Sequence, residues 1–139
     1  MTSNIPMTGC CQCGAVRYEI TGAPLELYVC HCVDCRKQSA SAFGMSLMVR
    51  AEDFRMTQGA VKCWTRPTDS GNRLNCYFCA DCGSRLWHQG DTNTTSVTVK
   101  PGSLDVPVDF SGAVHIWTTR KVPGFEIPAG AVQFDGEPE

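Results

Sequence analysis

The chain has 139 residues, of which 42% are hydrophobic and 19% charged, with a formal net charge of −2 and a pI near 5.9. That size and composition fit one globular domain, able to bury roughly two-thirds of its unfolded surface without staples. The mild acidity argues against a nucleic-acid binder working through a basic face, and there is no polybasic run for a membrane surface. The longest largely apolar run, 42–49, is far short of a membrane span. Residues 1–7 lack the basic and apolar parts of a secretory signal, so a cytoplasmic protein is expected.

In chain order, short segments of period two dominate. In 15–21, Val16, Tyr18 and Ile20 alternate with Arg17 and Glu19. In 25–30, Leu25, Leu27 and Val29 alternate with Glu26 and Tyr28. The pattern returns over 95–100 and 113–118, and such alternation puts one face in a core and the other in water. A helical turn or two is expected over 34–41 and a shorter turn over 51–54. Residues 61–66, a loop over 67–71 and residues 73–78 read as a hairpin. Gly and Pro punctuate the gaps. The fold class is therefore mainly β, with antiparallel sheets and one or two short helical turns. A single domain is expected over 8–135, with polar, flexible ends at 1–7 and 136–139.

The chain has ten cysteines. Without a secretory signal that number points to metal ligation or thiol chemistry rather than disulfides. Seven fall into three groups: Cys11-Gln12-Cys13-Gly14, Cys30-His31-Cys32-Val33-Asp34-Cys35 and Cys79-Ala80-Asp81-Cys82-Gly83. A closed structural zinc site takes four ligands, and the two pairs together supply Cys11, Cys13, Cys79 and Cys82. The glycines after each pair permit the tight turn such ligation needs. The middle group, Cys30, Cys32 and Cys35, offers three ligands and leaves a fourth position for water or substrate, as in a catalytic zinc site. Arg36 and Lys37 follow at once and favour an anionic ligand. Other readings of the same residues are disulfides for the two pairs, and a second structural zinc for the trio, closed by His31, His88, His115 or another cysteine.

Three segments carry a resemblance: Cys11-Gln-Cys-Gly-Ala-Val-Arg-Tyr-Glu19, Cys30-His-Cys-Val-Asp-Cys-Arg-Lys37 and Phe78-Cys-Ala-Asp-Cys-Gly-Ser-Arg-Leu86. With weaker matches at Gly102-Ser-Leu-Asp105 and at His115-Ile-Trp117 followed by Lys121, the chain resembles the glutathione-dependent formaldehyde-activating enzymes, a family that includes centromere protein V. The resemblance implies a β-tent fold, related to zinc-ribbon-like exchange factors and methionine-R-sulfoxide reductases. It implies a structural zinc at Cys11, Cys13, Cys79 and Cys82, and a labile, catalytic zinc at Cys30, Cys32 and Cys35. The implied chemistry is that of a carbon–sulfur lyase joining glutathione to formaldehyde, with a small thiol and an aldehyde as partners. One departure is Gln38-Ser39-Ala40-Ser41, where the family commonly has glycine after the basic pair.

The remaining residues have plainer readings. His31 points away from the metal as a surface or loop residue, His88 ends a strand near the second cysteine pair, and His115 packs in a strand. Trp64, Trp87 and Trp117 form core or pocket wall, as do Phe43 and Phe78. Cys10, Cys63 and Cys76 act as small buried hydrophobes. Two further functional readings stand beside the enzyme: a zinc module that acts only through protein contacts, and a thiol redox protein using Cys76. The sequence leaves homo-oligomerisation open.

Overall fold

The computed structural model describes residues 5–68 and 70–138. Residues 1–4 of the expected N-terminal end, and residue 139 of the C-terminal one, lie outside that range. The described residues form ten strands in two sheets with one short helix, so the fold is mainly β as the alternation predicts. The small sheet joins β1 (Met7–Cys10), β2 (Arg17–Ile20) and β5 (Phe54–Gln58) in the order β1-β2-β5. The large sheet runs β10-β3-β4-β9-β8-β7-β6. Its strands are β3 (Glu26–Cys30), β4 (Gly44–Arg50), β6 (Val61–Pro67), β7 (Arg73–Cys79), β8 (Arg85–Gly90), β9 (Ser96–Val99) and β10 (Val114–Ile116). β6 and β7 form the expected hairpin, in register from Val61↔Cys79 to Pro67↔Arg73. One pairing departs from expectation: β10 joins β3 in parallel, not antiparallel. A parallel pair needs a long crossover instead of a tight turn, and here β4 to β9 intervene.

Period-two alternation gives the large sheet two different faces. On one, Tyr77↔Trp87, Trp87↔Val99, Val99↔Leu47 and Leu47↔Leu27 form a continuous row across five strands. This row packs against Tyr18 and Ile20 of the small sheet, and against Val16 just before β2, to make the core. Phe54 bridges the layers, with ring centroids 5.5 Å from Tyr18 and 4.9 Å from Trp87. One residue along, the opposite face carries Trp64↔Cys76, Cys76↔His88, His88↔Thr98 and Thr98↔Met48. This face meets a cavity, not bulk water as simple alternation suggests.

The single α-helix, α1 (Val33–Ser39), starts a residue earlier and ends two earlier than expected. Cys32 caps it, its Sγ accepting the Cys35 N–H at 3.3 Å. Ala40 ends it with φ +51°, a left-handed C-cap position that favours glycine.

Expectations about four single residues need correction. Leu25 is exposed, because it precedes β3 and lies outside the paired strand; Cys63 is exposed because it sits on edge strand β6. Of the three left-over cysteines, Cys76 is fully buried, whereas Cys10 is half-buried beside Asp105, Sγ to Oδ1 3.7 Å. His31 is no surface residue: it is buried between His115, Phe43 and Phe125. Its Nε2 lies 3.0 Å from His115 Nδ1, while its own Nδ1 is buried without a partner. The tautomer with Nε2–H donating to His115 leaves only a lone pair unmatched at Nδ1, which costs less than an unpaired N–H.

All three histidines are buried, and burial pushes each below the ordinary imidazole range, His88 to about 2 with help from Lys100, Arg85 and Arg66. A histidine lowered on folding adds stability that is complete above its unfolded pKa of about 6.5 and is lost as pH falls below it. Urea denaturation between pH 7 and 5 should therefore show falling stability, His88 approaching about 1.4 kcal/mol per pH unit below its unfolded pKa, and His88→Gln should flatten the slope by that share. A second expectation concerns Gly83, whose φ of +80° meets no neighbour that a Cβ would strike, whereas Gly112 has equal space without a positive φ. Gly83→Ala should cost about 1–2 kcal/mol and Gly112→Ala much less in the same assay.

Candidate metal centre and cavity

The two outer cysteine pairs are built by the same backbone turn. In the first, the Gly14 N–H donates to Cys11 O at 3.0 Å and the Cys11 N–H to Val16 O at 3.1 Å. In the second, the Gly83 N–H donates to Cys79 O at 3.0 Å and the Cys79 N–H to Ser84 O at 3.0 Å. Gly14 and Gly83 take φ +81° and +80°, the left-handed conformation these turns require. Backbone N–H groups also point at sulfur: Val16 at Cys11 Sγ, 3.3 Å, and Asp81 and Cys82 at Cys79 Sγ, 3.3 and 3.4 Å. The turns meet with Cys13 Sγ 3.6 Å from Cys11 Sγ and 3.8 Å from Cys79 Sγ. Cys11, Cys13, Cys79 and Cys82 together place four sulfurs within 4.8 Å of one another. Ser84 joins the turns, accepting from the Gln12 N–H at 3.1 Å and lying 3.2 Å from Cys82 Sγ. Its hydroxyl is the main reason the Cys82 thiol is pushed down to about 5. Four convergent thiols with backbone donors aimed at their sulfurs fit a tetrahedral soft cation.

Cys30, Cys32 and Cys35 form the second cluster, their sulfurs again within 4.8 Å. Cys30 ends β3, Cys32 caps α1 and Cys35 lies in its first turn. Hydrogen bonding from Cys30 and then Cys35 holds the Cys32 thiol far below its usual range. The crowding that favours one thiolate disfavours a second, and a bound cation relieves that conflict. The donor set therefore fits zinc with three protein ligands.

The trio opens onto a cavity of about 700 Å³ over the second face of the large sheet. Tyr28, Ser46, Met48, Thr98, His88 and Trp64 come from the strands, Asp34, Lys37 and Gln38 from the α1 segment, and Glu137 and Pro138 from the C-terminal stretch. Glu137 accepts from Trp117 Nε1 at 2.8 Å, and Gly136 O accepts from the Trp117 N–H at 3.1 Å. A second cavity, about 850 Å³, shares Gln38, Arg85 and Lys100 with the first. Lys37 borders the first cavity, and Arg36 is exposed on α1 outside its lining. Trp87 lies in the core, Trp64 is 52% exposed on the cavity rim, and Phe43 packs on His31.

Three basic residues not singled out from the sequence line this cavity: Arg66, Arg85 and Lys100. Arg66 pairs with Asp34 at 3.1 Å and so ties β6 to α1. Arg85 Nη1 lies 2.9 Å from His88 Nε2, and its guanidinium sits 6.0 Å from the centre of the Trp64 ring. Because arginine can only donate, His88 accepts at Nε2 and stays neutral. Residues three apart face opposite sides of a regular strand. The register here runs Tyr77↔Trp87 and then Phe78↔Arg85, so Leu86 is the extra residue of a bulge. That bulge turns Arg85 onto the His88 face. His88 thus serves the three-cysteine cavity and not the second cysteine pair beside which the sequence places it. Lys100 has a sequence signal that is easy to pass over: it follows β9 on the parity of Thr98, the cavity side. It is buried, and burial lowers its pKa while Cys35 and Cys30 favour its charge.

No helix of the described residues is long and apolar enough to cross a membrane. A crystal structure of a Rhodobacter sphaeroides protein superposes with a TM-score of 0.60, at 26% identity over 78% of this chain and 99% of that one. The profile of the glutathione-dependent formaldehyde-activating enzymes matches residues 6–120. With both cysteine sets assembled within that span, the chain belongs to the glutathione-dependent formaldehyde-activating enzyme family.

Proposed function

We propose that this protein makes and breaks the carbon–sulfur bond of thiol–aldehyde adducts in the cytoplasm, with glutathione as the thiol and formaldehyde or another small aldehyde as its partner. The observation that carries this reading is the position of the Cys30, Cys32 and Cys35 sulfurs at the edge of a cavity. The four-cysteine set instead joins two turns whose cysteines lie 66 residues apart. One set is placed to hold the fold, the other to meet a ligand.

Zinc held by Cys30, Cys32 and Cys35 would supply Lewis acidity that favours thiolate over thiol in a bound cosubstrate. The chain's own residues do the rest. A cavity of about 700 Å³ is in the range that encloses small ligands. Arg66 and Arg85 in its lining, with Lys37 at the border and Arg36 beside it on α1, suit a peptide thiol that carries carboxylates. Trp64 and Met48 supply apolar wall for its methylene groups. Neutral His88 accepts from Arg85 and so holds that guanidinium against the Trp64 ring. The reading as a protein-contact module has less support, since the trio faces a concavity and not a flat apolar patch. The redox reading has less again, because Cys76 is fully buried with its thiol donating to Leu74 O at 3.7 Å.

Two substitutions test the division of labour. Cys32→Ser should lower catalysed glutathione–formaldehyde exchange at least about 100-fold and remove about one zinc per chain, while leaving the melting temperature within a few degrees. Cys79→Ser should instead lower the melting temperature by about ten degrees or more. Exchange NMR, metal analysis and thermal denaturation read the three quantities. Unfolding of Cys32→Ser, or turnover at the wild-type rate in it, would sink the assignment of the trio to catalysis.

A further inference from the structure

The cations lining the cavity differ in what they already hold. Arg66 is paired with Asp34, and Arg85 is engaged with His88 and Trp64. Lys100 is only 9% exposed, yet among the described residues no carboxylate forms an ion pair with it. Its ammonium donates to two neutral acceptors, Met45 O at 3.3 Å and Ser46 Oγ at 3.4 Å. An ammonium has three N–H donors, so one is unassigned.

The backbone of Lys100 is fixed on both sides. Its N–H donates to Leu86 O at 2.8 Å, and its C=O accepts from Ser103 Oγ at 2.7 Å. The side chain lines both cavities where they meet, and the thiol trio lines the first of them. Burying an ammonium that no carboxylate pairs is costly, and Cys35 and Cys30 are the neighbours that favour its charge. With two of its donors held by Met45 O and Ser46 Oγ, the ammonium is fixed in advance where the two cavities meet, and a donor so fixed is how an anion that develops during turnover is stabilised.

We infer that Lys100 is the catalytic residue that receives the aldehyde oxygen, binding it through the unassigned N–H and passing it a proton as the carbon–sulfur bond forms. The assignment rests on the thiol–aldehyde reading above. The thiolate lone pair makes the carbon–sulfur bond, the carbonyl π pair moves onto oxygen, and the proton passes from Lys100 Nζ to that oxygen. The thiol's own proton goes to water on ionisation, and water returns one to the lysine amine. Thiol plus aldehyde thus gives the hemithioacetal with atoms and charge balanced. In the reverse direction the amine takes the hydroxyl proton and the bond breaks.

The test uses the full-length, zinc-loaded protein with Lys100→Met and Lys100→Arg. Exchange between ¹³C-formaldehyde and its glutathione adduct is followed by NMR, above the spontaneous rate. Glutathione affinity by calorimetry, zinc content and melting temperature are measured alongside. The expected result is a loss of catalysed exchange of about 100-fold or more in Lys100→Met, with the other three readouts near wild type. Lys100→Arg should recover less than about a tenth of the rate, because guanidinium keeps its proton. Wild-type exchange in a folded, zinc-replete Lys100→Met protein would overturn the assignment. So would wild-type exchange in Lys100→Arg, which also decides the matter if the methionine variant does not fold. A wild-type protein with no exchange above the spontaneous rate would overturn the thiol–aldehyde reading itself, and the role of Lys100 with it.

Discussion

Strand alternation in the large sheet is the constraint on which both core and site depend. A one-residue step along any central strand moves a side chain from one face to the other. The row from Tyr77 to Leu27 buries one face against the small sheet, and the row from Trp64 to Met48 therefore has to face the other way. A sheet packed on one side only would normally show water a polar, featureless surface. Here α1 and the C-terminal stretch border that surface and turn it into a cavity. The residues that hold the fold and those that line the site are thus neighbours in the sequence, separated by parity alone.

The two cysteine sets follow the same division. Cys79 ends β7 on the parity of Tyr77, and its sulfur meets the turn that follows β1. Joining turns so far apart in the chain restricts the unfolded ensemble and holds the small sheet to the hairpin side of the large one. Cys30 ends β3 on the parity of Tyr28 and reaches the cavity. The outer sets use backbone N–H donors and a serine hydroxyl to favour thiolate, whereas the trio relies on the helix cap at Cys32 and on the crowding of its own thiols. A closed set with supported sulfurs suits a permanent ion. A trio at the edge of a cavity suits exchange with a ligand.

Charge is distributed in keeping with this. The net charge of the chain is slightly negative, yet Arg66, Arg85, Lys100 and Lys37 border one cavity. A low-dielectric wall concentrates their field on whatever enters. Asp34 neutralises one of them and His88 orients another without adding charge. Burial lowers the Lys100 pKa while Cys35 and Cys30 favour its charge, and the neighbouring cations help keep His88 neutral.

Much of this was legible in the residues themselves. Alternation at Val16–Tyr18–Ile20 and Leu27–Val29 located core strands because burial acts on a face, and period two is local. The spacing of Cys11, Cys13, Cys79 and Cys82 picked out one group of sulfurs that the fold brings together, and that of Cys30, Cys32 and Cys35 another. Gly14 and Gly83 marked their turns because few other residues tolerate a positive φ. What the sequence could not determine depends on registers and long-range contacts. The bulge at Leu86 brings Arg85 onto the His88 face, and no local pattern encodes an extra residue in a pairing. His31 lies between two cysteines in the chain but is buried by His115, 84 residues away. Lys100 reads as the polar end of a strand until β4 supplies Met45 O and Ser46 Oγ to hold its ammonium inside. Local periodicity and ligand spacing are carried by the chain, whereas the charge of a cavity wall is set by which strands pair and in what register, and only the folded sheet decides that.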